Sequence, residues 1–137
     1  MKNFVLDASI ALAWCFSDEA TPVTQALLER LEVATAFVPS LWSLELANVL
    51  LGAERKQRIT YAQVTEFLSL LGNLRIEVDL ETGARGFHDI LLLAHAEHLT
   101  SYDAAYLELA MRLGLPLATK DVSLSKAASR LGVPLLG

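Results

Sequence analysis

Four short apolar segments, Phe4-Val5-Leu6, Ala36-Phe37-Val38, Ile76-Glu77-Val78 and Leu117-Ala118-Thr119, are each separated from the next by stretches with helical apolar spacing. Segments this short read as strands. Strands that alternate with helices must pair in parallel, because a parallel neighbour is reached through a crossover that a helix supplies. The pattern therefore predicts an α/β fold with a parallel central sheet of four to five strands, flanked by helices on both faces. The possible fifth strand is Pro134-Leu135-Leu136, placed at an edge where proline is tolerated.

Capping residues set the helix boundaries. The predicted helices run from Ser9 to Phe16 and from Thr21-Pro22 to Leu31-Glu32, the second with threonine as cap and proline in the first turn. A long apolar helix from about Leu41 to Lys56 follows Pro39-Ser40. The next is announced by Thr60 and Gln63 at capping-box spacing and ends at Leu71-Gly72, so that the two form a protruding helical hairpin. Further helices are expected over Gly83 to His98 and Asp103 to Leu113, the latter stopped by Gly114. A last one is expected to be capped by Ser123 and to end at Leu131-Gly132.

At 137 residues, 53% of them hydrophobic and 20% charged, the chain has the material for one well-packed domain over residues 1–137 and none of the composition of disorder. No apolar run reaches the roughly 18 residues that span a bilayer, and Met1-Lys2-Asn3-Phe4 does not open a signal peptide. A cytoplasmic protein without a membrane segment is expected. Cys15 is the only cysteine, which excludes an internal disulfide and a thiolate metal site. The net charge of −5 argues against a general nucleic-acid binder, which carries a basic stripe. A nucleic-acid ligand would need the charge offset locally, by a bound cation or by basic residues such as Arg55-Lys56-Gln57-Arg58, Arg112, Lys120, Lys126 and Arg130.

Ligands of open parallel sheets bind beyond the carboxyl ends of the strands. Asp7 directly follows the first strand and Asp121 lies just past the fourth, so both belong to that edge; helix capping is the competing explanation for each. Asp103 shares a helix face with Tyr106, Leu107 and Ala110, with Glu108 and Arg112 paired on the opposite face. A carboxylate on the core side is costly unless paired or metal-bound. The helix after Pro39-Ser40 is apolar almost all round and expected to be largely buried, which leaves Glu45 and Asn48 as a polar pair. That pair is either a solvent stripe or the lining of a charged cleft.

Four clustered carboxylates would raise one another's pKa values unless a cation sat among them. All-oxygen ligation favours Mg2+ or Mn2+ over Zn2+, which would want histidine or cysteine. His88, His95 and His98 are too widely spaced for a single clamp and are assigned packing or surface roles.

The segments Val5-Leu6-Asp7-Ala8-Ser9, Pro39-Ser40-Leu41-Trp42 with Glu45-Leu46-Ala47-Asn48, Thr100-Ser101-Tyr102-Asp103-Ala104-Ala105-Tyr106 and Leu117-Ala118-Thr119-Lys120-Asp121 resemble, in order and spacing, the four motifs of PIN-domain ribonucleases of the VapC toxin type. The resemblance spans nearly the whole chain. It implies a PIN-like fold, a Mg2+-dependent endoribonuclease that hydrolyses RNA phosphodiester bonds, and a type II toxin-antitoxin system with a VapB-type antitoxin covering the site. It also implies that Asp7 and Asp103 are the main metal ligands, that Glu45 and Asp121 complete the catalytic acids, and that Ser9, Asn48 and Thr119 are supporting contacts. The number of metal ions stays open.

Two readings compete with this one. A non-catalytic α/β binding module would use the acids as caps and recruit a partner through apolar surface. A phosphoacceptor or phosphatase would need an acidic pair or Asp-x-Asp after a strand, which neither Asp7-Ala8-Ser9 nor Lys120-Asp121 supplies. The high apolar content, concentrated in the hairpin from Trp42 to Leu71, suggests surface for an antitoxin helix and for a homodimer within a larger complex.

Overall fold

The computed structural model describes residues 3–136. Among these, the strands β1 (Phe4–Leu6), β2 (Ala36–Pro39), β3 (Ile76–Asp79) and β4 (Leu117–Ala118) form one sheet in the order β3-β2-β1-β4. Every pairing is parallel. Phe4, Val5 and Leu6 are completely buried, the signature of a strand covered on both faces rather than one. The expected fifth strand reduces to an isolated parallel bridge between Leu117 and Leu135, consistent with Pro134 having no N–H to extend a ladder.

The helices are α1 (Ala8–Cys15), α2 (Pro22–Arg30), α3 (Trp42–Arg55), α4 (Tyr61–Gly72), α5 (Thr82–Arg85), α6 (Leu91–Glu97), α7 (Ser101–Leu113) and α8 (Val122–Arg130). Thr21 and Thr60 cap α2 and α4 as the sequence predicts, Thr60 in the expected box with Gln63 and Thr21 in a further reciprocal box with Thr24. Helix α7 packs against β1, β2 and β4, and Ala104 through Ala110 are buried without interruption. It is the central helix of the fold.

Several expectations are corrected. The single helix from Gly83 to His98 is broken into α5, a π-helical stretch (Gly86–Ile90) and α6. Glycine costs a helix interior about 1 kcal/mol relative to alanine, and the chain leaves helical dihedrals at His88 (φ −117°, ψ −107°). Helix α7 begins at Ser101 rather than Asp103, because Thr100 Oγ1 accepts the Asp103 N–H. The cap of α8 is Asp121, not Ser123: Asp121 Oδ1 accepts the Leu124 N–H at 2.8 Å.

Glu108 and Arg112 do pair, at 3.0 Å, but not on an open face. Glu108 is buried beside Arg112, which also binds Asp79 at 2.7 Å, and α7 therefore has no solvent side along its middle. Helix α3 departs in the other direction. Only Trp42, Leu46, Leu50 and Ala53 are buried, and Leu44 is 74% exposed. Between α3 and α4 runs a groove of about 260 Å³ walled by Trp42, Leu46, Leu50, Val64, Leu68 and Leu71. Leu51 and Leu68, on its rim, are exposed.

Candidate active site

The topology reverses at β1: β2 lies on one side of it and the last strand, β4, on the other. Crevices for ligands form beyond the strand ends at such a switch point. The register Leu6↔Ala118 brings the next residues, Asp7 and Thr119, side by side, and the Asp7 N–H donates to the Ala118 carbonyl at 3.0 Å. Asp7 is only 6% exposed. Although it occupies the cap position of α1, its side chain makes no cap hydrogen bond. Its Oδ2 instead accepts two hydroxyls, Ser9 Oγ and Thr119 Oγ1, each at 2.6 Å. Both hydroxyls are themselves held, Ser9 Oγ accepting the Lys120 N–H and Thr119 Oγ1 the Asp121 N–H, each at 3.0 Å.

Asp7, Glu45, Asp103 and Asp121 line one cleft of about 310 Å³, together with Ser9, Leu12, Val49 and Lys120. Glu45 comes from the first turn of α3 and Asp103 from the first turn of α7. Tyr106, fully buried one turn beyond Asp103, donates its hydroxyl to Glu45 Oε1 at 2.5 Å. Of the supporting residues expected from sequence, Ser9 and Thr119 take their places. Asn48 is exposed and makes no side-chain hydrogen bond to the cluster among the described residues.

The acids are electrostatically coupled. Burial pushes the Asp7 carboxyl up, opposed by the bonds from Ser9, Thr119 and the Ala8 N–H and reinforced by the charge of Asp121. Burial likewise raises Glu45, against the Tyr106 bond and with the charges of Asp7 and Asp103. Asp103 is pushed up to about 6 by burial and by Asp121 and Asp7. Each of these groups would ionise more readily beside a cation. The donors are all oxygen, which suits Mg2+ or Mn2+. Among the described residues no three His, Cys, Asp or Glu side chains converge on one point as a closed metal cage would require. The donor set fits an ion that takes two carboxylates and keeps water in its other positions, as Mg2+ does.

The PIN-domain family model matches residues 4–129, nearly the full length. The chain belongs to the PIN-domain family. Such domains are generally nucleases, typically using divalent metal ions. No curated protein sequence matches this PIN domain. Among solved structures, it is similar to PAE2754 from Pyrobaculum aerophilum, with a TM-score of 0.68 and 24% identity over 93% of this chain and 87% of that one. It is similar to VapBC2 from Rickettsia felis, bound to a DNA fragment from their promoter, with a TM-score of 0.63 and 15% identity over 98% and 97%. It is also similar to FitAcB from Neisseria gonorrhoeae, with a TM-score of 0.53 and 20% identity over 100% and 97%. At these identities the likeness establishes the fold.

In this PIN domain the acids named from sequence meet in one cleft, and two further residues join them. Tyr106 had a visible signal, lying one helical turn after Asp103 on the same face, but its acceptor is 61 positions away in sequence. Lys120 stood among several scattered basic residues, and only the fold brings it to the cleft. We expect Tyr106→Phe to fold normally and to lower the turnover of a nuclease here by roughly 10- to 100-fold, the range for residues that orient a ligand or base. Steady-state rates with melting curves of both proteins check this.

Proposed function

We propose that this PIN domain is a Mg2+-dependent endoribonuclease, the toxin of a type II toxin-antitoxin pair of the VapC kind. The observation that carries the proposal is the buried Asp7 carboxylate, held by two hydroxyls at the switch point of the sheet and sharing a cleft with Glu45, Asp103 and Asp121. A non-catalytic module that used its acids as caps would have the Asp7 side chain accepting the cap hydrogen bond of α1, and it makes no such bond.

Asp7 and Asp103 would hold the ion, with Mn2+ as a substitute for Mg2+. When bound, a divalent ion supplies charge to the scissile phosphate and acidity to a water. Ser9 and Thr119 fix Asp7 in one rotamer. Asp121 commits one oxygen to capping α8 and Glu45 one to Tyr106, and of the two we assign Glu45 to orient the attacking water. Burial raises its pKa, which makes it a stronger base than a free carboxylate. Tyr106 holds Glu45 Oε1 and leaves Oε2 for that task.

The groove between α3 and α4 fits the apolar face of a partner helix, and an antitoxin is the partner we assign to it. Two similar structures, VapBC2 from Rickettsia felis and FitAcB from Neisseria gonorrhoeae, support that assignment. A homodimer within the larger complex would cover further apolar residues, among them Phe87, Leu91 and Leu92, which are 89%, 52% and 68% exposed; a single-chain mass by light scattering would exclude it. No helix among the described residues is long and apolar enough to cross a membrane, in keeping with a cytoplasmic site of action.

The test is induced expression of the wild type and of Asp7→Asn without antitoxin, followed by sequencing of new RNA ends. Growth arrest with new ends only in the wild type is the expected result. Identical RNA ends at equal soluble expression would sink the nuclease assignment.

A further inference from the structure

An acidic cleft repels the polyanion it is meant to cut, and one metal ion leaves the flanking phosphates uncompensated. Three of the basic residues that composition offers for this are committed elsewhere, and Arg55, Lys56 and Lys126 do not line the cleft. Arg58 binds Asp18 and Glu19, Arg112 binds Asp79 and Glu108, and Arg130 binds Glu97. Lys120 alone among the cleft residues is basic. Its main-chain N–H is fixed to Ser9 Oγ at 3.0 Å, and Ser9 in turn to Asp7, so the root of the side chain is tied to the site itself. Its ammonium reaches the Glu19 carbonyl at 3.2 Å and has no carboxylate within ion-pair distance among the described residues. Glu19 is anchored from its other end by Arg58.

From this geometry we infer that Lys120 is a positioning residue that binds a backbone phosphate of the RNA beside the acidic cluster, leaving the Glu19 carbonyl to do so. The inference rests on the nuclease reading. An ammonium held only by a neutral carbonyl, next to carboxylates it does not neutralise, gives the cleft a cationic wall on the side of Ser17–Glu19. A phosphate held there orients the strand along the cleft that Asp7 and Asp103 line. Lysine serves such a role as a point charge.

The test compares Asp103→Asn, Asp103→Asn/Lys120→Gln and Asp103→Asn/Lys120→Arg for binding of a fluorescent, randomised single-stranded RNA over a salt series at constant Mg2+. Asp103 is chosen as the inactivating position because its side chain is outside the Asp7–Ser9–Lys120 chain of bonds. Losing one phosphate contact should flatten the slope of log affinity against log salt by about 0.7 and weaken binding roughly tenfold at about 50 mM salt, with convergence near 1 M. Arginine should restore the slope. In the otherwise wild-type protein, Lys120→Gln should raise KM with little change in kcat. Equal melting temperatures would confirm that only the charge was removed. Slope and KM unchanged by Lys120→Gln, in a protein whose parent binds or cleaves RNA, overturn this inference alone. If the wild type cleaves no RNA and the parent binds none, the nuclease reading falls and takes this one with it.

Discussion

Asp7→Asn should destroy the activity of this PIN domain and raise the melting temperature of its metal-free form. The two effects have one cause. Asp7 is buried, and burial sets its carboxyl above the ordinary 3.8 despite the three bonds that oppose the shift. Near pH 7 the folded state therefore carries a charge that the unfolded state solvates better. Asparagine can still accept the Ser9 and Thr119 hydroxyls through its oxygen, but it has no charge to desolvate and makes a poor ligand for a hard cation. Cleavage should fall by about 10³-fold or more, since metal assistance is worth several kcal/mol. Stability should rise by about 3 °C, the shift that roughly 1 kcal/mol makes in a domain of this size.

The pH dependence carries the sign. Asp103 has a folded pKa of about 6 against 3.8 unfolded, and Asp7 is raised as well. Between about 4 and 6 the folded state holds more protons than the unfolded one, so stability falls as pH rises through that window. The metal-free wild type should thus melt higher at pH 5 than at pH 8, and Asp7→Asn should show a smaller difference. Adding Mg2+ should restore the wild type at pH 8 and leave the variant unmoved. Equal melting curves for wild type and Asp7→Asn at pH 8 without metal would mean that Asp7 is not strained, and its role as a prepared ligand would lose its physical basis.

The fold and the acids were legible for different reasons. The four strands are read from short apolar runs between capped helices, and the parallel topology follows from the alternation. That places Asp7 and Asp121 on one edge, but it cannot separate a cap from a ligand, since both follow strands and precede helices. Only the bonds distinguish them: Asp121 caps with one oxygen, and Asp7 does not cap at all. Glu45 was reached through a pattern that pointed to a buried helix, whereas the apolar excess of α3 faces outward into the groove and solvent. A hydrophobic helix face intended for a partner looks, in one sequence, the same as a face intended for the core. Tyr106 and Lys120 depend on contacts between residues distant in the chain, which periodicity does not encode.

Glu108 was hidden for the same reason, and its setting leads to the second large effect. Arg112→Ala should destabilise the protein by about 3–5 kcal/mol, because it removes the cation from a nearly buried cluster and leaves its acids uncompensated. Arg112 donates to both oxygens of Asp79, at 3.1 and 2.7 Å, and to Glu108 at 3.0 and 3.1 Å. The guanidinium holds Asp79 below the ordinary 3.8. Arg85 offers Glu108 only a 3.5 Å contact, its stronger bonds going to Glu81 and Asp89, and cannot take over. For Asp79 the sign is opposite to that of Asp7: the pair stabilises above about pH 4, and the benefit is lost as pH falls through the depressed value. The penalty of Arg112→Ala should therefore shrink toward pH 3, and Arg112→Met with Glu108→Gln should recover part of it at pH 7 by removing one stranded charge. The cluster also reaches the candidate site. Thr82 accepts the Ser40 N–H at 3.0 Å while contacting Asp79, and Ser40 opens the turn into α3, which carries Glu45. Destabilisation should accordingly come with a lower kcat at temperatures where Arg112→Ala is still folded. A full-activity Arg112→Ala protein that melts early would confine the cluster to a purely structural part.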